Sequence, residues 1–291
     1  RLSAFFTSRI VRGRMVAMKK KEYPAVFQHK KFKGKVYQLD EPVLDAGTVI
    51  KALAIPNINN IMHIKSASDF SVSDFSVEDA DGDKWNISAA KIILAAGQGN
   101  EELLKKLGHE MPKMQLRPLQ MVIVRGGLPE KLYAHCLGAS ANPRITITSH
   151  EDKQGNIVWY LGGQLAEEGI HRTQVEQIKK AKHELHALMP WLDFLQMQWS
   201  TLNINRAEPL QKDGKRPATS FYFEENNVIT TWPTKLALSP NLAEDVLTLL
   251  EKQNVAKSGD KTMPEFSHAA ISDLPWQEDN NWKCELNDKF T

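Results

Sequence analysis

Apolar and polar positions along the chain follow periods typical of short strands and of a few amphipathic helices. The clearest stretch is residues 91–106, where three apolar residues, a turn of small residues and an acidic segment follow one another. This order predicts a strand over residues 92–94, a tight turn over residues 95–99 and a helix beginning at Asn100. Glycine in such a turn lets backbone amides approach a phosphate or ribose. The turn is therefore a candidate nucleotide site, and the alternative is that its glycines serve only the tight turn.

Further strands are predicted over much of the chain on both sides of this stretch. Asp81-Gly82-Asp83 and residues 152–156 are turn sequences, each joining two apolar stretches into a hairpin. The remaining predicted strands are residues 36–39, 61–64, 70–72, 75–77, 85–87, 121–124, 144–148, 157–161, 199–206 and 220–231, of which the last two are expected to pair.

Four stretches carry the spacing or the end signals of helices. Residues 1–22 are basic and are predicted to be helical. Asp45 is the predicted N-cap of a helix over residues 46–54, whose apolar side chains share one face. A clear amphipathic helix over residues 173–188 is stopped by a Met-Pro pair. The last long helix is expected over residues 239–252.

Length and composition are those of an ordinary globular protein with more than one core. At 291 residues the chain exceeds the usual single-core size, so two domains are expected. No apolar run reaches the roughly 18 residues that a membrane-spanning helix needs. Two distant cysteines, Cys136 and Cys284, give neither a disulfide framework nor zinc-ligand spacing, which suits a reducing compartment and predicts a cytoplasmic protein.

The net charge of +2 hides a strong asymmetry along the chain. Residues 1–35 contain eleven lysines and arginines and one acidic residue, Glu22, so the remainder is net acidic. Such a segment binds nucleic acid or anionic lipid in some proteins. In others it is a solvated face, or its acidic neighbours come from elsewhere in the fold, and we favour that interpretation. We therefore expect no nucleic-acid partner.

Two motifs suggest chemistry that their spacing does not support. A zinc helix needs histidines four residues apart, whereas His183 and His186 are three apart, with Glu184 between them. His135 and Cys136 are adjacent, so they do not face each other on a strand, and a buried thiol is the better interpretation. The sequence contains no GxSxG elbow and no GxxxxGK[ST] loop, and no metal site is predicted.

The order of motifs along residues 36–252 resembles the FAD-dependent oxidoreductases of the D-amino-acid oxidase superfamily. This superfamily includes glycine oxidase, sarcosine oxidase and glycerol-3-phosphate dehydrogenase. The strand ending in Ala95-Ala96-Gly97 is similar to one that passes close to the dinucleotide in the family. Arg216-Pro217 matches a pair that lies near the flavin, and Thr234-Lys235-Leu236-Ala237 matches the turn leading to the final helix. The resemblance implies FAD as cofactor and a small-molecule substrate.

The resemblance also implies which residues contact the cofactor and the substrate. Arg206 and Arg216 are expected to contact substrate or flavin, because guanidinium binds carboxylate or phosphate bidentately; the alternative is that each pairs with a structural acid. No catalytic residue is assigned, since the cofactor carries the chemistry. The expected cofactor-binding residues are Ala95, Ala96, Gly97, Gln98, Thr234, Lys235, Leu236 and Ala237.

The start of the final helix has a role that follows from helix physics. A helix beginning at Ser239-Pro240, with serine as its cap and proline first in the helix, presents unsatisfied amides and about half a positive charge. Directed at the N1 and C2 carbonyl edge of a flavin, this end would stabilise the negative charge that develops as N5 accepts a hydride.

The sequence departs from the family pattern at three places. The GxGxxG motif that holds the FAD pyrophosphate does not occur in the chain, so we expect a fragment that lacks roughly the first hundred residues, a typical mononucleotide-binding half. Trp232-Pro233-Thr234 stands in place of the glycine-rich flavin turn. Ser220 stands in place of the acidic residue that follows the Arg-Pro pair.

The expected fold is α/β (α+β): a partial Rossmann-like FAD-binding domain with an inserted, largely antiparallel β-sheet substrate domain. The expected function is hydride transfer from a small amine, amino acid or hydroxy substrate to flavin N5. The alternatives are a degenerate fragment that binds no flavin and a nucleic-acid-binding module built on residues 1–35. The expected segments are 1–45 (basic, with a lead-in strand), 46–110 (FAD-binding), 111–224 (substrate-binding), 225–255 (FAD-binding return) and 256–291 (polar tail).

Overall fold

A computed structural model describes residues 15–70, 73–138, 142–255, 265–278 and residue 282. Backbone contacts divide the chain into two compact units. The first unit comprises Arg1–Val49, Pro118–Ile204 and Ser272–Thr291, and the second comprises Ile50–Arg117 and Asn205–Ile271. The segment boundaries expected from the sequence stay a prediction.

The described residues form short strands and five α-helices, with several 3₁₀ turns between them. The strands are β1 (Met15–Ala17), β2 (Tyr37–Leu39), β3 (Ile64–Ser68), β4 (Asp74–Asp79), β5 (Lys84–Ser88), β6 (Ile92–Leu94), β7 (Met114–Arg125), β8 (Ala134–Leu137), β9 (Pro143–Glu151), β10 (Ile157–Gly162), β11 (Gln198–Pro209), β12 (Phe221–Glu225) and β13 (Val228–Trp232). The helices are α1 (Ala46–Ala54), α2 (Asn100–Lys106), α3 (Gln164–Glu167), α4 (Gln174–Leu188) and α5 (Ser239–Lys252). None of the helices in this described part has the length and apolar character needed to cross a bilayer.

A five-stranded sheet has the order β11-β7-β10-β9-β8, and its β7–β10, β10–β9 and β9–β8 pairs are antiparallel. Most of it belongs to the first unit, whereas β7 up to Arg117 and β11 from Asn205 belong to the second. Helix α4 packs on one face, where Ile178 and Leu185 join the fully buried Trp159 in the core. Thr173 caps this helix, because its hydroxyl accepts from the Glu176 amide at 3.3 Å while Glu176 accepts from the Thr173 amide at 2.8 Å. The helix predicted over residues 173–188 is confirmed.

The other face of this sheet is covered by the C-terminal segment of the same unit. Trp276 packs on Ile123 and Val158 and stacks on His150, with 3.6 Å between ring centroids. Burial in this cluster raises the pKa of Tyr160 to about 12. The described part of the C-terminal segment around Trp276 therefore docks on this face of the sheet.

The second unit contains two three-stranded sheets, with the orders β12-β13-β6 and β3-β4-β5. Strands β13 and β6 are parallel, and successive residues of β13 point to opposite faces. Val228 packs with Leu104 of α2, whereas Ile229 packs with Leu242 and Val246 of α5. The helices about a parallel strand pair in this unit and the antiparallel strand pairs of the first unit together confirm the predicted α/β fold class.

Several predicted elements differ in the structure. The helix predicted over residues 1–22 lies partly outside the described residues, and its described part is the strand β1, paired with β2, followed by a 3₁₀ turn. The strand predicted over residues 61–64 begins only at Ile64. Phe70 lies outside any strand, and residues 71–72 are outside the described ranges. Local apolar spacing misled these predictions because pairing partners decide where short strands begin.

The stretch predicted as one strand over residues 220–231 is a hairpin. Strands β12 and β13 pair antiparallel about Asn226, whose φ is +58°. Asparagine tolerates this left-handed conformation better than most residues, so it can form the turn. The expected pairing of residues 199–206 with this stretch is also wrong, because β11 lies beside β7.

Candidate functional site

The site is organised by the parallel pair β6 and β13 in the second unit. Leu94 lies opposite Thr230 at the carboxyl ends of these strands. Parallel neighbours end at the same edge of a sheet, and in open α/β sheets ligands bind in the crevice beyond that edge. The turn after β6 and the turn after β13, which were predicted separately as cofactor segments, are consequently neighbours.

Two side chains of β13 bond to the backbone of the turn that follows β6. The Thr231 hydroxyl donates to the Leu94 carbonyl at 2.9 Å. The Trp232 indole nitrogen donates to the Gly97 carbonyl at 3.0 Å, and the indole is 1% exposed. Buried hydrogen bonds of this kind fix the distance between the two turns, because breaking one leaves an unsatisfied polar group.

Asn100 connects the same two segments from the first turn of α2. Its side chain is fully buried; its nitrogen donates to the Thr231 carbonyl at 3.0 Å and its oxygen accepts from the Ala96 amide at 2.8 Å. Both ends of the amide are thus satisfied by backbone groups. The sequence pattern predicted Asn100 only as the start of a helix and gave no signal of this bridging role.

A cavity of about 530 Å³ lies beyond the carboxyl ends of β6 and β13. Seven of the ten residues predicted from the sequence line it: Ala95, Gly97, Gln98, Arg206, Thr234, Lys235 and Leu236. The cavity is also lined by Asn205, Ala207, Glu208, Thr231, Trp232, Pro233, Ser239 and Leu242. All of these residues belong to the second unit, so the cavity is a feature of that unit alone.

Three predicted site residues do not line the cavity. The Ala96 amide is used by Asn100, and Ala237 lies within the 3₁₀ turn Leu236–Leu238 before α5. Arg216 is exposed on the segment between β11 and β12, next to the buried Pro217. The structure therefore brings Arg206 to the cavity and leaves Arg216 away from it.

Two cavity residues have left-handed backbones. Gly97 has a φ of +58°, and a Cβ placed on it would meet no atom within 4 Å. Thr234 has a φ of +62°, which is strained for a β-branched residue, and its hydroxyl donates to the Thr219 carbonyl at 2.9 Å. The backbone of Gly97 is consequently open to the cavity, as a close approach by a cofactor requires.

The cavity wall formed by β11 carries charged groups of both signs. The Arg206 Nε donates to the Arg117 carbonyl at 3.2 Å, which holds the guanidinium in place. Glu208 is 2% exposed, and its carboxylate lies 3.6 Å from an Arg117 Nη1. The strand predicted over residues 199–206 includes Asn205 and Arg206 but ends before Glu208, and its pattern did not indicate that Asn205 or Glu208 would line the cavity.

The helix α5 begins at Ser239, as predicted, but its cap differs. Leu238 is the N-cap residue, no side chain caps the helix, and Pro240 occupies its second position. The expectation that Ser239 caps the helix is wrong, because a 3₁₀ turn leads directly into it. Within this first turn the Ser239 amide donates to the Leu236 carbonyl and Pro240 has no N–H, so this end offers fewer free donors than the sequence predicted, although Ser239 lines the cavity.

The motifs that were set aside in the sequence have structural partners. Glu184 of α4 pairs with Arg144 and, at 2.8 Å, with Lys180. Burial raises the pKa of the Cys136 thiol to about 11, although Arg144 nearby lowers it, so the thiolate nucleophile is disfavoured. Among the described residues, no group of three or more His, Cys, Asp or Glu is arranged to hold a metal ion.

Comparison with known proteins gives the class. No family model matches the chain. A protein of Pseudomonas aeruginosa described as the probable FAD-dependent oxidoreductase PA4991 is 39% identical over 286 residues, which are 95% of this chain and 71% of that protein. The chain therefore belongs to the family of FAD-dependent oxidoreductases, and the resemblance seen in the sequence is confirmed. It is an oxidoreductase of the flavoprotein class.

Solved structures agree with this assignment. The crystal structure of PA4991 superposes with a TM-score of 0.76 at 38% identity, covering 92% of this chain and 73% of that one. A glycerol-3-phosphate dehydrogenase from Bacillus halodurans, solved with FAD, superposes with a TM-score of 0.51 at 14% identity, covering 87% of this chain and 55% of the other. The second likeness shows that the fold is shared.

Proposed function

We propose that this chain takes part in the oxidation of a small amine, amino acid or hydroxy compound, and that the cavity beyond β6 and β13 holds part of the FAD. The observation that carries the proposal is the meeting of two sequence segments, residues 95–98 and 234–236, at one cavity of about 530 Å³. Each segment was selected as cofactor-binding from sequence, and more than 130 residues separate them.

The residues present fit a flavin dinucleotide. The open backbone at Gly97 allows close approach of a planar or phosphorylated group. The start of α5, whose Ser239 lines the cavity, contributes the partial positive charge of a helix N-terminus near electron-rich oxygen or nitrogen atoms. Lys235 adds a cationic side chain to the same lining. When bound, FAD supplies N5 as the acceptor of the substrate hydride.

Arg206 is the proposed substrate-binding residue. Its guanidinium is held at the cavity by the Arg117 carbonyl, and guanidinium pairs with a carboxylate or phosphate bidentately. This chemistry favours substrates that carry an anionic group, such as amino acids, over neutral amines or alcohols. The contact predicted for Arg216 stays a prediction from the sequence; because Arg216 does not line this cavity, Arg206 is the contact that we propose here.

The chain also carries features of a reducing compartment. The Cys136 thiol is free, and burial raises its pKa to about 11. A protonated, sheltered thiol persists without oxidation where glutathione keeps cysteines reduced. We therefore propose a cytoplasmic setting for the enzyme.

The test of the proposed function is direct. The purified protein is expected to show the visible absorbance of oxidised flavin, and heat denaturation is expected to release FAD in about one-to-one ratio. D- and L-amino acids, secondary amines and hydroxy acids are then added separately without oxygen. The compound class that contains the substrate should reduce the flavin and bleach this absorbance. A protein that is colourless and gains no absorbance on incubation with FAD would contradict the proposal and favour the degenerate, flavin-free alternative.

A further inference from the structure

The N-terminal part of the first unit displays a dense group of lysines at its surface. Within residues 19–35 there are seven lysines and one acidic residue, Glu22. All seven side chains are exposed. The lysine surface is defined here as Lys19, Lys20, Lys21, Lys30, Lys31, Lys33 and Lys35.

An aromatic cluster orders the segment beneath these lysines. Phe32 contacts Phe27 and Tyr23, with ring centroids 5.0 and 6.0 Å apart, and meets Trp191 edge-on at 6.1 Å. His29 stacks on the same Trp191 at 5.1 Å. The lysines therefore project from an ordered segment that packs on the core, so less conformational entropy of the backbone is lost when they bind a partner.

The positive charges of this surface are not neutralised within the described part of the chain. The Glu22 carboxylate accepts from the Lys19 backbone amide at 3.1 Å, and none of the seven ammonium groups pairs with a carboxylate among the described residues. The sequence left open that acidic neighbours come from elsewhere in the fold; one of them, Glu130, does accept from the Val26 amide of this segment, but it forms no ion pair with the seven lysines. The preceding residues 1–14 lie outside those ranges; their sequence adds four arginines and no acid.

We propose that the lysine surface binds the anionic face of a lipid bilayer. Clusters of four to eight basic residues are attracted to such a face, and each lysine near it strengthens binding by about fivefold. The alternative of nucleic acid is disfavoured by the side chains themselves. Tyr23 is 8% exposed, and Phe27 and Phe32 are only partly exposed and pack on one another, so no fully exposed ring is available to stack on bases.

The experiment measures co-sedimentation of the protein with phosphatidylcholine vesicles that contain either 30% phosphatidylserine or none. The test variant is Lys30→Gln, Lys31→Gln and Lys33→Gln combined. The matched control is Lys51→Gln, Lys84→Gln and Lys252→Gln combined, which removes the same charge from exposed lysines outside residues 19–35. Circular dichroism and thermal unfolding confirm that both variants fold.

We expect the protein to bind the phosphatidylserine vesicles and not those without phosphatidylserine. The test variant should bind about 100-fold more weakly, whereas the control variant should bind as the unmodified protein does. High salt should reduce binding. Four results would overturn the proposal. The first is absence of binding to phosphatidylserine vesicles. The second is equal weakening by the control variant, which would show that only net charge matters. The third is displacement of the protein from the vesicles by duplex DNA or RNA at a lower concentration of phosphate charge than the vesicles present, and the fourth is lysine-dependent self-association in sedimentation velocity; these would assign the surface to nucleic acid or to a second copy of the chain.

Discussion

The indole nitrogen of Trp232 donates a 3.0 Å hydrogen bond to the carbonyl oxygen of Gly97, joining residues 135 positions apart in the chain. This bond ties the turn after β13 to the turn after β6. Each turn supplies backbone to the proposed cofactor cavity, so the bond sets the width of that cavity.

Replacement of Trp232 by phenylalanine removes this bond while keeping an aromatic ring. We expect a loss of about 1 to 3 kcal/mol in unfolding free energy from the unsatisfied carbonyl and the lost volume, together with weaker FAD binding. Trp199→Phe is the matched control, because Trp199 is fully buried and its indole nitrogen has no hydrogen-bond partner in the described structure. Isothermal titration with FAD compares the two. Equal FAD affinity in both variants would show that the Trp232 bond does not shape the cofactor cavity.

Gly97→Ala places a methyl group in the open space of the cavity. Gly108→Ala is its control, since Gly108 also has a left-handed backbone, with φ of +79°, and space for a Cβ, but does not line the cavity. Both variants should lose about 1 to 2 kcal/mol of stability from backbone strain. Only Gly97→Ala should weaken FAD binding, by about tenfold, which corresponds to ~1.4 kcal/mol. Fluorescence titration measures the affinities; the idea fails if Gly97→Ala binds FAD as well as its control.

Arg206→Lys keeps the positive charge and removes the bidentate geometry. For a substrate with a carboxylate we expect KM to rise about 10- to 100-fold, as for loss of a charged hydrogen bond, with a smaller change in kcat. Arg216→Lys should change KM little, because Arg216 is exposed away from the cavity. Steady-state kinetics on the FAD-loaded enzyme decides. A larger effect at Arg216 than at Arg206 would reverse the assignment of the substrate contact.

Stability should depend on pH through His150. Burial lowers the pKa of this histidine below its ordinary 6.5, although Asp45 nearby raises it. Protonation therefore favours the unfolded chain, and stability falls as pH drops from about 6.5 through the lower folded pKa. His150→Asn should reduce the difference in melting temperature between pH 7.5 and pH 5.5, whereas the exposed His183→Asn controls for removal of an imidazole. An unchanged difference in His150→Asn would contradict this role.

Local sequence pattern determined much of the second unit's framework. The apolar triplet of β6, the small-residue turn and the start of α2 at Asn100 were all predicted from consecutive residues, since side-chain period and helix-start signals are properties of short stretches. The hairpin at Asn226 was missed because apolar residues on both of its sides resemble one longer strand.

The sequence by itself also carried the family, because several weak motifs in a fixed order are improbable by chance. Only the tertiary structure decided which residues meet at the cavity. Asn100 reaches Thr231 across 131 positions, and Glu208 reaches the cavity wall from β11, because strand pairing brings them there. The periodicity of apolar residues predicts which face of a helix or strand a side chain occupies. Which residue it contacts there depends on the free energy of the whole packed fold, and a local sequence pattern does not determine that.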